Sequence, residues 1–134
     1  MKSNSTSIAR DNTIRISPFK LNNLVKSIDN KKVNYAVNQL KFSQKRISLS
    51  VLKVLNAAIS NAENNNQMDI DSLYVKEAFV GKGLSMKRFR PRAKGRASRI
   101  VKPFSKLTII LEEKNKSDEK KRKNKLDEKK GKNN

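Results

Sequence analysis

Apolar residues recur along this chain with two different periods, and the change of period divides it. Near the N-terminus, Ile8, Ile14 and Ile16 share one parity while Thr13 and Arg15 take the other, which predicts a strand over residues 8–16. Ser17-Pro18 then reads as a helix cap followed by proline at the first helical position. The helix it opens places Leu21, Leu24, Val25 and Ile28 on one face, and Asp29-Asn30 reads as its stop. A second helix is predicted over residues 32–42, with Val33, Ala36, Val37 and Leu40 as its stripe. Ser43 offers a cap for a longer third helix over residues 45–63, where Ile47, Val51, Leu52, Leu55, Ala58, Ile59 and Ala62 return every three or four residues. At about 1.5 Å per residue it would run nearly 30 Å.

Asn64-Asn65-Asn66 closes the helical half, and the period then falls to two. Leu73, Val75 and Phe79 alternate with Tyr74, Lys76 and Ala78, and later Leu107, Ile109 and Leu111 alternate with Thr108 and Ile110. These predict two strands of one sheet. The segment between them carries Pro91 and Gly95 near its centre, as a long β-hairpin would. The expected fold is α+β: three helices packed on a small, roughly three-stranded antiparallel sheet, with a long basic hairpin extension. Its predicted organisation is a frayed N-terminus over residues 1–7, one domain over 8–113 with the hairpin at about 82–106, and a disordered charged tail over 114–134. In that tail Leu126 is the sole large apolar residue.

Charge sharpens this picture. The 134 residues hold 32 Lys and Arg against 12 acids, a formal net charge of +20. Nine of the cations fall within residues 86–106 with no acid among them: Lys87, Arg88, Arg90, Arg92, Lys94, Arg96, Arg99, Lys102 and Lys106. Five of the nine arginines of the whole chain lie there. The frequent Lys and Asn elsewhere fit the drift of an AT-rich genome, but this concentration of Arg does not. Arginine presents a planar fork that suits phosphate oxygens and base edges. Surface loops ordinarily mix signs, so a self-repelling arm of this kind points to a polyanionic partner, nucleic acid above all.

The chemistry the chain lacks excludes other classes. With no Cys and no His there is no zinc finger, thiol nucleophile, disulfide framework or Ser-His-Asp triad, and no catalytic set, metal site or cofactor loop assembles from what remains. Gly81-Lys82-Gly83 lacks the third glycine and following helix of a dinucleotide loop, so it reads as a flexible bend at the hairpin's base. Asp69 and Asp71 read as loop residues, and Glu112 and Glu113 as solvent-facing charges at a strand end. Tyr35, Phe42, Tyr74 and Phe79 are assigned to the core. Phe89 and Phe104, set among cations, either stack on an unpaired base or pack across the hairpin. No apolar run approaches the roughly 20 residues that span a bilayer, no secretory signal is visible, and the basic arm is not an amphipathic helix, so no membrane partner is expected.

The basic segment resembles the bacterial-type large-subunit ribosomal protein twenty-two family. Lys87 is followed after four residues by Arg92-Ala93-Lys94-Gly95-Arg96, and further on Lys106 precedes the apolar strand that begins at Leu107. Lys106 departs from the His, Asp or Asn that the family pattern usually has there. Further resemblance covers Ile16-Ser17-Pro18, the run from Val54 to Asn65, and Tyr74-Val75-Lys76-Glu77-Ala78-Phe79-Val80, in all about residues 8–113. The resemblance implies a structural protein of the large ribosomal subunit that binds large-subunit rRNA, supports assembly and touches neighbouring large-subunit proteins. It further implies that the hairpin reaches the peptide exit tunnel, with Met86, Lys87, Arg88, Phe89, Arg90, Pro91 and Arg92 at a tip that meets the nascent peptide. The ribosome would be that of a bacterial cytoplasm or of an organelle. The competing reading is a nucleoid architectural protein whose basic β-arm bends DNA, with Pro91 as a wedge. Such arms generally act as dimers, and no strong dimer face is visible in this chain, so no homo-oligomer is expected.

Overall fold

A computed structural model describes residues 6–113. The disordered tail expected over residues 114–134 lies outside the described residues, as do residues 1–5 of the frayed end; Thr6 and Ser7, expected to be frayed, already belong to a strand. The elements in chain order are β1 (Thr6–Ile14), α1 (Pro18–Val25), α2 (Val33–Lys41), α3 (Ser48–Asn66), β2 (Leu73–Pro91) and β3 (Ala97–Glu113). The strands form one antiparallel sheet in the order β1-β3-β2, so the last strand lies in the middle. This is the expected α+β architecture.

Each helix begins and ends for local reasons. Pro18 opens α1 behind an extended Ser17, whose side chain makes no capping bond. Helix α1 stops at Val25, earlier than Asp29, and Ile28 is buried from the turn that follows. The chain leaves that turn at Asn30 with φ of 58°, the left-handed conformation asparagine tolerates well. Helix α3 starts at Ser48 rather than residue 45, because a tight turn precedes it: the Lys45 N–H donates to Ser43 Oγ at 3.4 Å and the Ser48 hydroxyl donates to the Lys45 carbonyl at 2.7 Å. It ends at Asn66, after which Gln67 adopts a left-handed φ of 51° and turns the chain away.

One face of the sheet carries the helices. Leu107, Ile109 and Leu111 of β3, Leu73 and Val75 of β2, and Ala9 and Ile14 of β1 meet Leu21, Val25, Ile28, Val33, Ala36, Leu40, Val51, Leu55, Ala58 and Ala62 in a single core. Helix α3 is tied across β1 by three polar contacts: the Ser7 hydroxyl donates to the Ala58 carbonyl, and the Asn61 and Asn66 amides donate to the Ile8 and Thr6 carbonyls. The edge of β2 that β3 leaves free is partly covered by the α1–α2 connection. There the Val75 N–H donates to the Lys31 carbonyl at 2.9 Å and the Ala78 N–H to Asp29 Oδ1 at 3.2 Å. Covering an edge in this way withholds it from pairing with another chain.

Strand faces depart from the simple alternation because the pairing slips at three places. Between Asp11 and Ile14 the register shifts, so Ser7 and Ala9 face the core on one side of the slip and Ile14 on the other, leaving Ile8 exposed. A second shift, between Val75 and Glu77, turns Phe79 outward and brings Ala78 and Val80 against the core. A third lies between Lys82 and Ser85. Each inserts an extra residue that reverses the faces of everything beyond it. The core assignment of Phe79 is therefore corrected, and those of Tyr35 and Phe42 are corrected for a different reason: both fall on the side of α2 opposite its buried stripe of Val33, Ala36 and Leu40, so all three aromatics are exposed, while Tyr74 is half-buried.

Candidate nucleic-acid interface

Beyond the pair Ile14–Ser105, β1 no longer accompanies β3, and β2 and β3 continue as a two-stranded ribbon. Pairing runs from Ser85–Pro103 to Pro91–Ala97. At about 3.3 Å per residue the ribbon extends roughly 30 Å past the end of β1. The chain reverses at Ala93–Gly95, where Lys94 and Gly95 take φ of 60° and 68°, and the Arg92 N–H donates to the Arg96 carbonyl at 2.7 Å. Of the seven residues expected at the tip, Met86 to Pro91 lie on the outgoing strand and Arg92 is the last before the reversal.

The root of the ribbon is held rigidly. Ser105 is fully buried, and its hydroxyl donates to the Ile16 carbonyl at 2.6 Å, fastening β3 to the β1–α1 connection. Gly83, expected in a flexible bend, instead lies in β2 at the third register shift. A Cβ there would lie 2.8 Å from the Phe104 carbonyl oxygen, so only glycine lets the two backbones approach this closely.

Cross-strand pairing sorts the arm's side chains onto two faces. Lys87 sits opposite Val101, Phe89 opposite Arg99 and Pro91 opposite Ala97 on one face. Met86 opposite Lys102, Arg88 opposite Ile100 and Arg90 opposite Ser98 make the other. Cations therefore stand on both faces and at the apex, where Arg92, Lys94 and Arg96 cluster around the turn. Lys106 is set apart, opposite Gly81 in the three-stranded body. All nine predicted cations are exposed, and the ion pair recorded among the described residues, Lys76 with Glu112 at 3.5 Å, involves none of them. Phe89 is 74% exposed and, with Lys87, Arg88, Arg99 and Val101, lines a shallow cleft; Phe104 is half-buried.

A second cleft at the ribbon's root joins Lys102, Val101 and Pro103 to Arg15, Ile16, Ser17 and Lys20. Sequence reasoning missed Arg15 and Lys20. Their signal was their place on either side of Ser17-Pro18, but only the fold brings that connection against β3. Among the described residues no group of acids could hold a metal ion. An acid-free ribbon of exposed cations can neutralise phosphates along two sides at once, and an exposed aromatic among them can take a base.

Comparison with known proteins places this arrangement. The family described as Ribosomal protein L22p/L17e matches residues 9–112. The large ribosomal subunit protein uL22 of Phenylobacterium zucineum (strain HLK1) is 56% identical over 110 residues, covering 82% of this chain and 87% of that protein. Its counterpart in Maricaulis maris (strain MCS10) is 60% identical over 100 residues, 75% of this chain and 79% of that one. Its counterpart in Pelagibacter ubique (strain HTCC1062) is 57% identical over 103 residues, 77% and 78%. The match runs through the helical body and the full length of the basic ribbon, and on that evidence the chain belongs to the ribosomal protein L22p/L17e family.

Proposed function

We propose that this chain is a structural, non-catalytic component of the large ribosomal subunit, where it binds large-subunit rRNA and packs beside neighbouring ribosomal proteins. The carrying observation is the two-stranded ribbon whose exposed cations have no acidic partner among the described residues. Such an arm repels itself and gains stability when phosphates surround it. The DNA-bending alternative finds no support in relatives that are ribosomal proteins.

In the finer reading, the nine cations of residues 86–106 contact rRNA and the arm's distal part lines the peptide exit tunnel, where Met86–Arg92 meet the nascent chain. The ribbon's length and its polar apex support this reading, because a thin, cationic projection fits between packed rRNA helices where a globular body does not. The chain acts there as a single copy. Binding to protein-free large-subunit rRNA, measured over a range of salt, tests the arm: replacing Arg88, Arg90, Arg92, Arg96 and Arg99 by Gln flattens the slope of log affinity against log salt by about 3–5. An unchanged slope moves the interface elsewhere. A density map of subunits lacking residues 86–88 tests the tunnel; a wall identical to wild type refutes its lining by this arm.

A further inference from the structure

The hairpin is not the only acid-free stretch of this chain. Between Asp29 and Glu63 lie 33 residues with no acid and six cations: Lys31, Lys32, Lys41, Lys45, Arg46 and Lys53. Three of these crowd into the corner between α2 and α3, around Phe42. At 85% exposure, Phe42 is the most exposed large apolar side chain among the described residues. Burying a Phe is worth roughly 1.5–3 kcal/mol, so the domain leaves that gain unused on its own surface.

The corner holds the ring out by design of its backbone. The Phe42 N–H donates to the Asn38 carbonyl at 3.1 Å, closing α2, and the Ser43 N–H donates to the Leu40 carbonyl at 3.4 Å. Ser48, itself buried, ties the far side through its hydroxyl to the Lys45 carbonyl. Leu40 fills the inward position beside the corner, and Ile47 packs against the core from its other side. The ring thus stands outward on an ordered turn. Lys41, Lys45 and Arg46 are all exposed, and no ion pair recorded among the described residues involves them. Tyr35 differs: the Lys31 ammonium already sits 4.8 Å from its ring centre.

We propose that this corner is a second RNA-binding site, in which Phe42 stacks on an unpaired base of large-subunit rRNA while Lys41, Lys45 and Arg46 neutralise the flanking phosphates. The partner rests on the ribosomal reading; the site does not rest on the hairpin. Base-on-aromatic stacking tolerates any base, and exposed cations beside an aromatic can track the phosphates of the same single strand. Together with the ribbon, the corner gives the body two attachments to the same RNA, so that each raises the local concentration of the other.

The test uses the full chain and protein-free large-subunit rRNA, with binding measured across salt for five variants. Phe42→Ala and Phe42→Leu weaken binding roughly tenfold, whereas Phe42→Trp keeps wild-type affinity. The triple variant K41Q/K45Q/R46Q flattens the log–log salt slope by about 2. All melt as wild type, since each change is on the surface. The fifth variant, with the five hairpin arginines neutralised, separates the two ideas. Corner variants that bind as wild type while the hairpin variant is weakened refute the corner and leave the hairpin standing. The reverse pattern refutes the hairpin and upholds the corner. Wild-type affinity in Phe42→Leu shows an apolar contact without a stacked base and overturns the proposal. Should the triple variant fail to fold, the Phe42 series decides alone.

Discussion

A single added carbon at Gly83 should uncouple the ribbon from the body. The Cβ of alanine there would lie 2.8 Å from the Phe104 carbonyl oxygen, 3.0 Å from its carbonyl carbon and 3.2 Å from the Ser105 nitrogen. Carbon contacts are comfortable at about 3.5–4.0 Å, so the strands must part by roughly half an ångström. All three neighbours are backbone atoms, and no rotamer change relieves them. Overpacking of this kind costs about 1–3 kcal/mol. On the body side Ser105 is clamped by its pairing with Ile14 and its bond to Ile16, so the strain is released outward, into the ribbon. A two-stranded ribbon without a covering layer is marginally stable. Amide hydrogen exchange across residues 86–101 of Gly83→Ala should therefore quicken about 5- to 150-fold, while the denaturation midpoint of the helical body barely moves. Gly81→Ala is the control, because its Cβ meets only Lys106 Cβ at an ordinary 3.8 Å. Ribbon exchange in Gly83→Ala no faster than in Gly81→Ala would refute the close approach. Equal destabilisation of body and ribbon would refute their independence.

Three further outcomes follow from the core and the turns. Leu55→Ala, at a side chain with no exposure, should cost about 2–5 kcal/mol in urea unfolding, and a loss below about 1 would mean that the helical layer collapses onto the cavity. Ser105→Ala removes the bond to the Ile16 carbonyl from a buried site and should lower stability by about 0.5–1.5 kcal/mol, read from the same unfolding curves; an unchanged midpoint would show that the bond is not needed at the root. Gln67→Gly should raise the melting temperature, because glycine takes the φ of 51° at the end of α3 without a side-chain penalty; a lower melting temperature would show that the Gln side chain stabilises the turn.

What the sequence determined by itself was whatever is local to the chain. A helix shows the same residues to the core wherever it packs, so the stripes of α1, α2 and α3 were legible, with the helix bounds shifted by a few residues where turns at residues 26–30 and 43–47 took over. The Ser17-Pro18 start, the period of two after Asn66 and the nine cations around Pro91 and Gly95 were equally local, and they sufficed for three helices, a small sheet and a basic hairpin. The tertiary structure decided which strand face is covered. Ile8 and Phe79 read as core by alternation, but the slips at Asp11–Ile14 and Val75–Glu77 arise from pairing with β3, a partner distant in the chain, and they turn both residues outward. Composition could not tell an aromatic that packs from one that waits for a partner, because Phe42 and Leu40 are two residues apart and equally apolar. Their difference, one exposed and one buried, follows from their places on α2: Leu40 continues the buried stripe of Val33 and Ala36, and Phe42, at the helix's C-terminal cap, lies on the opposite side. The meeting of Arg15 and Lys20 with Lys102, by contrast, is decided by the fold: a cleft belongs to elements brought together across it, and no single stretch of sequence contains it.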